Sequence, residues 1–124
     1  MRVRVAGGVA LVAAVLLGAL SANAFPAVKA TVPTYNVAVS AGEFYFTLSK
    51  KSIPKPGKVI FTVTNKGAIA HDFEIQALHK KTKLLQPHQK QVLTVTFAKK
   101  GSFYYLCTVP RHAQQGMAGS FIVK

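Results

Sequence analysis

From residue 43 onward the chain alternates hydrophobic and polar residues in short runs. In EFYFTLS, Phe44, Phe46 and Leu48 fall on one side and Glu43, Tyr45 and Thr47 on the other. In KVIFTVTN, Val59, Phe61 and Val63 oppose Ile60, Thr62 and Thr64. A period of two is the repeat of a strand with one face in a core and the other in water. The same period puts His71, Phe73, Ile75 and Ala77 on one face of HDFEIQAL and Leu93, Val95 and Phe97 on one face of QVLTVTFA. In SFYYLC it does the same for Phe103, Tyr105 and Cys107, and GSFIVK makes a last run. Between the runs, SKKSIPKPGK carries two prolines that each remove a ladder donor, HKKTKLLQPHQK is polar, and Lys99-Lys100-Gly101 has turn composition. The pattern predicts an all-β, Greek-key antiparallel β-sandwich of about seven strands, with at most a helical turn near residues 80–86 or 112–116.

The first 24 residues do not fit this scheme. MRVR is followed by sixteen uncharged residues, Val5 to Leu20, and then by SANA. A basic start, a short apolar run and a small-residue site at Ala22-Asn23-Ala24 predict a signal peptide over 1–24 and a single domain over 25–124. The apolar run is short against the roughly 20 residues needed to span a bilayer.

Charge narrows the partners. Without Arg2 and Arg4, fourteen basic residues stand against Glu43, Asp72 and Glu74, a formal net charge of +11. That balance favours anionic partners: a redox protein with an acidic face, or peripheral contact with an anionic membrane surface. Self-repulsion favours a monomer. The lysines are scattered as pairs rather than gathered on one helix or in a nucleic-acid-binding motif, and an exported chain rarely meets nucleic acid, so that class is set aside. Three carboxylates leave few groups whose protonation drives acid unfolding, which predicts a protein suited to low external pH.

The chemistry concentrates around one thiol. Cys107 has no second cysteine to pair with, so it is an intermolecular bridge, an inert buried thiol or a ligand. The loop after it, TVPRHAQQGM, holds His112 and Met117. A thiolate, an imidazole and a thioether suit copper, and a second histidine completes a trigonal site with a weak axial sulfur. His71, at the start of an inward-facing run, is the candidate; alone it reads more readily as a structural histidine than as a ligand, and the cysteine, histidine and methionine downstream reverse that. His79 and His88 lie in the polar connection and read as surface groups.

NKGAIAHDF, residues 65–73, and YYLCTVPRHAQQGMAG, residues 104–119, resemble the two ligand segments of the cupredoxins, the small blue copper proteins. GKVIFTVTN, LQPHQKQVLTVTF and KKGSFYYLC resemble the family's strands and turns, so the likeness covers about residues 36–124. It implies one type 1 copper ion held by His71, Cys107, His112 and Met117. The ligand loop is longer than plastocyanin's and similar to that of rusticyanin and auracyanin. Asp72 and Thr108 occupy positions where the family hydrogen-bonds across the two ligand segments. His88 stands where many relatives have glycine, which leaves the conformation of that turn open.

The resemblance further implies that His112 is the ligand nearest solvent, within a docking patch of Ala68, Ile69, Val109, Pro110 and Ala118. Arg111 and the lysines would then steer the chain to an acidic partner, a cytochrome or a terminal oxidase subunit. The expected function is a periplasmic or otherwise exported electron shuttle that cycles between Cu(II) and Cu(I). A periplasmic copper carrier or chaperone is the alternative, weakened by there being only two methionines in the chain. A copper enzyme needs an open coordination position and further ligands, and no His-x-His pair or second cysteine is present.

Overall fold

Alternation builds both layers. The computed structural model describes residues 29–124 without a break, together with residues 2–4, 7–8, 14, 18–19 and 25–26. The expected signal peptide over 1–24 therefore lies largely outside the described residues, and no described helix is long and apolar enough to cross a membrane.

The described residues form nine strands: β1 (Thr34–Gly42), β2 (Tyr45–Leu48), β3 (Ser52–Ile53), β4 (Gly57–Asn65), β5 (Glu74–Ile75), β6 (Lys80–Lys81), β7 (Lys90–Phe97), β8 (Gly101–Leu106) and β9 (Ala118–Val123). One sheet has the order β2-β1-β4-β7 and the other β3-β9-β8-β5-β6. Most ladders are antiparallel, but β1 pairs with β4 and β3 with β9 in parallel, so the sandwich is mixed rather than purely antiparallel.

The inward residues expected on β4 and β7 are buried, and so are Leu48, Tyr105 and Cys107. Phe61 sits at the centre of the core, its ring 5.3 Å from those of Phe73 and Phe121. Each such buried ring contributes about 1.5–3 kcal/mol relative to exposure.

Three expectations change. Thr34–Gly42, which lies before the alternating runs and where the pattern predicts no strand, is a nine-residue strand that buries Val37, Val39 and Ala41. Ser52–Ile53 forms a short strand inside the proline-containing connection. Ala77 does not face inward: the strand from His71 is broken to Glu74–Ile75, and a 3-10 turn over Gln76–Leu78 carries Ala77 to the surface. The helical turn expected at 112–116 is present as a 3-10 turn, Ala113–Gln115, and residues 80–86 contain none.

The strand directions fix two poles. β4 ends at Asn65, β7 begins at Lys90, β8 ends at Leu106 and β9 begins at Ala118, so both predicted ligand segments emerge at one pole. The other pole gathers the lead before Thr34, the β2–β4 connection, the β7–β8 turn and the end of β9.

Candidate metal centre

His71 is placed by a knot of hydrogen bonds around buried Asn65. The Asn65 side-chain amide donates to the carbonyls of Ile69 and Leu85, both at 2.8 Å, and its Oδ1 accepts from the Gly67 N–H at 2.8 Å. An asparagine one residue before the bend is well suited to such a turn, since its side chain mimics backbone. His71 then exchanges two backbone hydrogen bonds with Leu85, at 2.8 and 3.0 Å, and is fully buried.

Glu43 completes the placement from the β1–β2 corner. Its Oε1 accepts the Ala68 N–H at 2.8 Å and the Ile69 N–H at 3.0 Å, and lies 3.1 Å from Nε2 of His71. Donation from the Ile69 amide, helped by His71 and Ala68, holds the Glu43 carboxyl below its ordinary range against a partial cost of burial. An ionised Glu43 only accepts, so His71 carries its proton on Nε2 and Nδ1 is left with a free lone pair.

The second segment is closed by its own backbone. The Cys107 N–H donates to the Met117 carbonyl at 3.0 Å, and the Met117 N–H returns to the His112 carbonyl at 3.1 Å. The 3-10 turn and the positive φ of Arg111 (72°) and Gly116 (122°) bend the chain between them. At Gly116 a Cβ would stand 2.9 Å from the Phe44 carbonyl oxygen, so the loop and the β1–β2 corner meet only through a glycine. Phe44 sets its ring edge-on to His112, with centroids 4.9 Å apart.

Donor atoms converge as a result. Nδ1 of His71 and Nδ1 of His112 are 3.1 Å apart, Sγ of Cys107 is 3.6 Å from Nδ1 of His112, and the three donors lie within 4.8 Å of one another. All three residues are buried. Met117 is fully buried in a cluster with Cys107 and Ala41, flanked by Phe44, Phe46 and Val109. Burial pushes the Cys107 thiol above its ordinary value, and burial with the neighbouring His71 pushes His112 below its own. Two imidazole nitrogens and a thiol in a dry pocket, with a thioether beside the thiol, fit copper better than a hard cation.

Asp72 and Thr108 join the two segments. Asp72 Oδ1 accepts the Thr108 N–H at 2.6 Å, and its Oδ2 accepts the Thr108 hydroxyl. Of the residues expected in a docking patch, Ala68, Ile69, Pro110 and Arg111 are exposed, and Val109 and Ala118 half-buried. His112, at 7% exposure, is the most open of the four expected ligands.

His79 and His88 are exposed and stand apart from the cluster. His88 adopts the left-handed conformation (φ 68°) and donates its N–H to the Asn65 carbonyl, so this turn forms without a glycine. Eight of the thirteen lysines expected to steer a partner toward His112 lie at the opposite pole, and Lys66, Lys90 and Arg111 are among the basic residues at the pole of the centre. Sequence reading overlooked Glu43, Phe44 and the ring of hydrogen bonds on Asn65. The one signal in the sequence that leads toward any of them is Asn65-Lys66-Gly67, whose asparagine and glycine suit a turn.

Fold and donor set together define a β-sandwich protein with one buried site for a soft metal ion. The family described as the Cupredoxin-like domain matches residues 9–123, and the chain belongs to that family. Its cofactor is copper, the ion for which the family and this donor set are suited. Among solved structures, the reduced auracyanin of Roseiflexus castenholzii is similar, with a TM-score of 0.60 and 21% identity over 73% of this chain and 96% of that one. Auracyanin A, a blue copper protein from Chloroflexus aurantiacus, gives 0.59 and 17% over 74% and 100%. A chain of a heme-copper terminal oxidase dimer gives 0.64 and 19% over 78% and 68%. These likenesses establish the shared fold. No curated protein sequence matches the chain.

Proposed function

We propose that this chain is an exported single-copper electron carrier in which His71, Cys107, His112 and Met117 hold the metal. The observation that carries the proposal is the convergence of His71 Nδ1, His112 Nδ1 and Cys107 Sγ in one buried pocket. Bound copper would supply a one-electron couple between Cu(II) and Cu(I).

The chain's part is to hold donors that suit both states without rearranging. Glu43 fixes the ring and tautomer of His71, and the Cys107–Met117 backbone bond fixes the base of the loop. Asp72 locks one segment to the other through Thr108. Little motion then accompanies a change of charge, which is the requirement for fast transfer. Burial of the donors keeps water and substrates from the metal, which favours a carrier over an enzyme.

Electrons would pass beside His112, through a patch formed by Ala68, Ile69, Val109, Pro110 and Ala118. Contact there would be largely apolar, with Arg111 and Lys66 on its rim to meet an acidic face of a cytochrome or a terminal oxidase subunit. The structural likeness to a terminal oxidase chain supports such a partner. A copper chaperone needs metal that exchanges, and donors buried this deeply resist exchange.

Voltammetry of the copper-loaded protein with a Cu(I) chelator present tests the proposal. A carrier shows reversible one-electron cycling and keeps its copper. Rapid loss of the reduced metal to the chelator would establish the chaperone instead.

A further inference from the structure

The charge of this chain is divided between its two poles. Lys50, Lys51 and Lys55 lie in the β2–β4 connection, Lys58 near the start of β4, and Lys99 and Lys100 in the β7–β8 turn. Lys124 joins them, its N–H bonded to the Ile53 carbonyl, and Lys29 precedes the lead that enters β1. All eight are exposed, and together they are eight of the fourteen basic residues from Lys29 onward.

No carboxylate side chain lies among them. Glu43 and Asp72 are in the candidate metal centre, and Glu74 pairs with Leu106, the residue before Cys107. Of the two exposed histidines, His88 bonds to Asn65 at the metal-centre pole and His79 closes the turn between β5 and β6.

The same pole carries apolar surface. A pocket of ≈ 400 Å³ opens between the lead, the start of β4 and the end of β7, lined largely by Val32, Pro33, Pro56, Phe97 and Ala98. Each of the three lining segments is bordered in sequence by a lysine: Lys29 before the lead, Lys55 and Lys58 about Pro56-Gly57, and Lys99 after Ala98. Val32 is 60% exposed. The Lys58 N–H donates to the Pro33 carbonyl, so whatever precedes residue 33 arrives at this pole.

We infer that the lysine pole is a docking surface for an anionic phospholipid bilayer, with the metal centre turned away from the lipid. A collar of lysines without acidic side chains matches anionic headgroups, and exposed Val32 with the apolar pocket matches the acyl boundary. An acidic protein would satisfy the lysines and leave Val32 and the pocket without a counterpart. In this orientation the patch around His112 stays free for a redox partner while the chain is held at the membrane. The inference does not depend on copper being bound.

Co-sedimentation of the full chain with vesicles tests it, comparing phosphatidylcholine alone with phosphatidylcholine containing phosphatidylglycerol. Any contribution of residues 5–20 is common to both vesicles, so the readout is the increment due to anionic lipid. Lys55→Gln/Lys58→Gln/Lys99→Gln is compared with Lys80→Gln/Lys81→Gln/Lys83→Gln, which removes equal charge elsewhere. Each lysine facing the lipid is expected to contribute roughly fivefold, so the first variant loses about a hundredfold of the increment and the second only a few-fold. Matching circular dichroism confirms that both are folded. Equal losses in the two variants, or no preference for anionic vesicles, overturn the inference. So does abolition by millimolar inorganic phosphate at constant ionic strength, which would mark a site for free phosphate.

Discussion

Glu43 stands 3.1 Å from Nε2 of His71, across 28 residues of sequence, and the same carboxylate oxygen accepts two amides of the loop that leads to that histidine. One side chain therefore sets the tautomer, the ring direction and the approach of the chain. Glu43→Gln is expected to keep the fold and weaken Cu(II) binding by about 10–100-fold, the usual effect of removing such a support. A competitive copper titration measures it, and unchanged affinity would deprive Glu43 of this role.

Asp72 and Thr108 carry the other tie. Asp72→Ala leaves the Thr108 N–H and hydroxyl without their charged acceptor, at about 1–3 kcal/mol in unfolding free energy. Denaturant unfolding of the copper-free protein gives the loss. Asp72→Asn, which retains one acceptor, should lose less; equal losses would mean that the carboxylate's second oxygen adds nothing.

Copper-free protein should be most stable around neutral to mildly alkaline pH. His112 is held below its ordinary 6.5, so its contribution is present above that value and is lost as pH falls through the lowered folded value. Glu43, held below 4.5, adds a further loss at lower pH. Cys107 and Tyr105 are raised above 9.0 and 10.0 by burial, so their contributions are complete below those values and are lost as pH rises through the raised ones. Melting temperatures at about pH 4, 7.5 and 10 should trace an arch. Copper should steepen the acid side, because the loaded fold holds Cys107 as thiolate and His112 neutral while the unfolded chain still takes up those protons. A flat copper-free profile would contradict these environments.

Scarcity of carboxylates suggested tolerance of acid, and the structure qualifies that expectation. Two of the three carboxylates, Glu43 and Asp72, brace the metal site. Protonation of Glu43, at a pH below its ordinary range, therefore removes a support of the centre.

Met117 tests the fourth ligand. Met117→Leu nearly conserves volume at a fully buried position and should cost less than about 1.5 kcal/mol. Copper should stay bound through the three remaining donors. The reduction potential should rise, because Cu(II) loses more than Cu(I) does when an axial donor is removed. An unchanged potential would place the thioether outside the coordination sphere.

Much of this was legible in the sequence, for reasons that particular residues make clear. Val59, Phe61, Val63, Leu93, Val95 and Phe97 announce their strands because large apolar residues alternate with polar ones over a full strand length. Cys107, His112 and Met117 announce the site because they lie within one short segment. TYNVAVSAG hid its strand, since small residues such as Ala38, Ser40 and Ala41 blunt the alternation and its parallel partner, β4, begins 23 residues after it does. Ala77 followed the period until a 3-10 turn broke it. Glu43 and Phe44 were illegible as parts of the centre because only the packing of the β1–β2 corner brings them to His71 and His112. The division of charge between the poles likewise appears only once strand directions are known.

The visible spectrum of the purified protein titrated with Cu(II) tests the central claim most directly. A copper ion bound by the Cys107 thiolate gives an intense charge-transfer band in the orange-red, reaching its maximum at one equivalent and absent from Cys107→Ser. A colourless copper complex, or a band that survives in Cys107→Ser, would contradict a copper centre built on His71, Cys107 and His112.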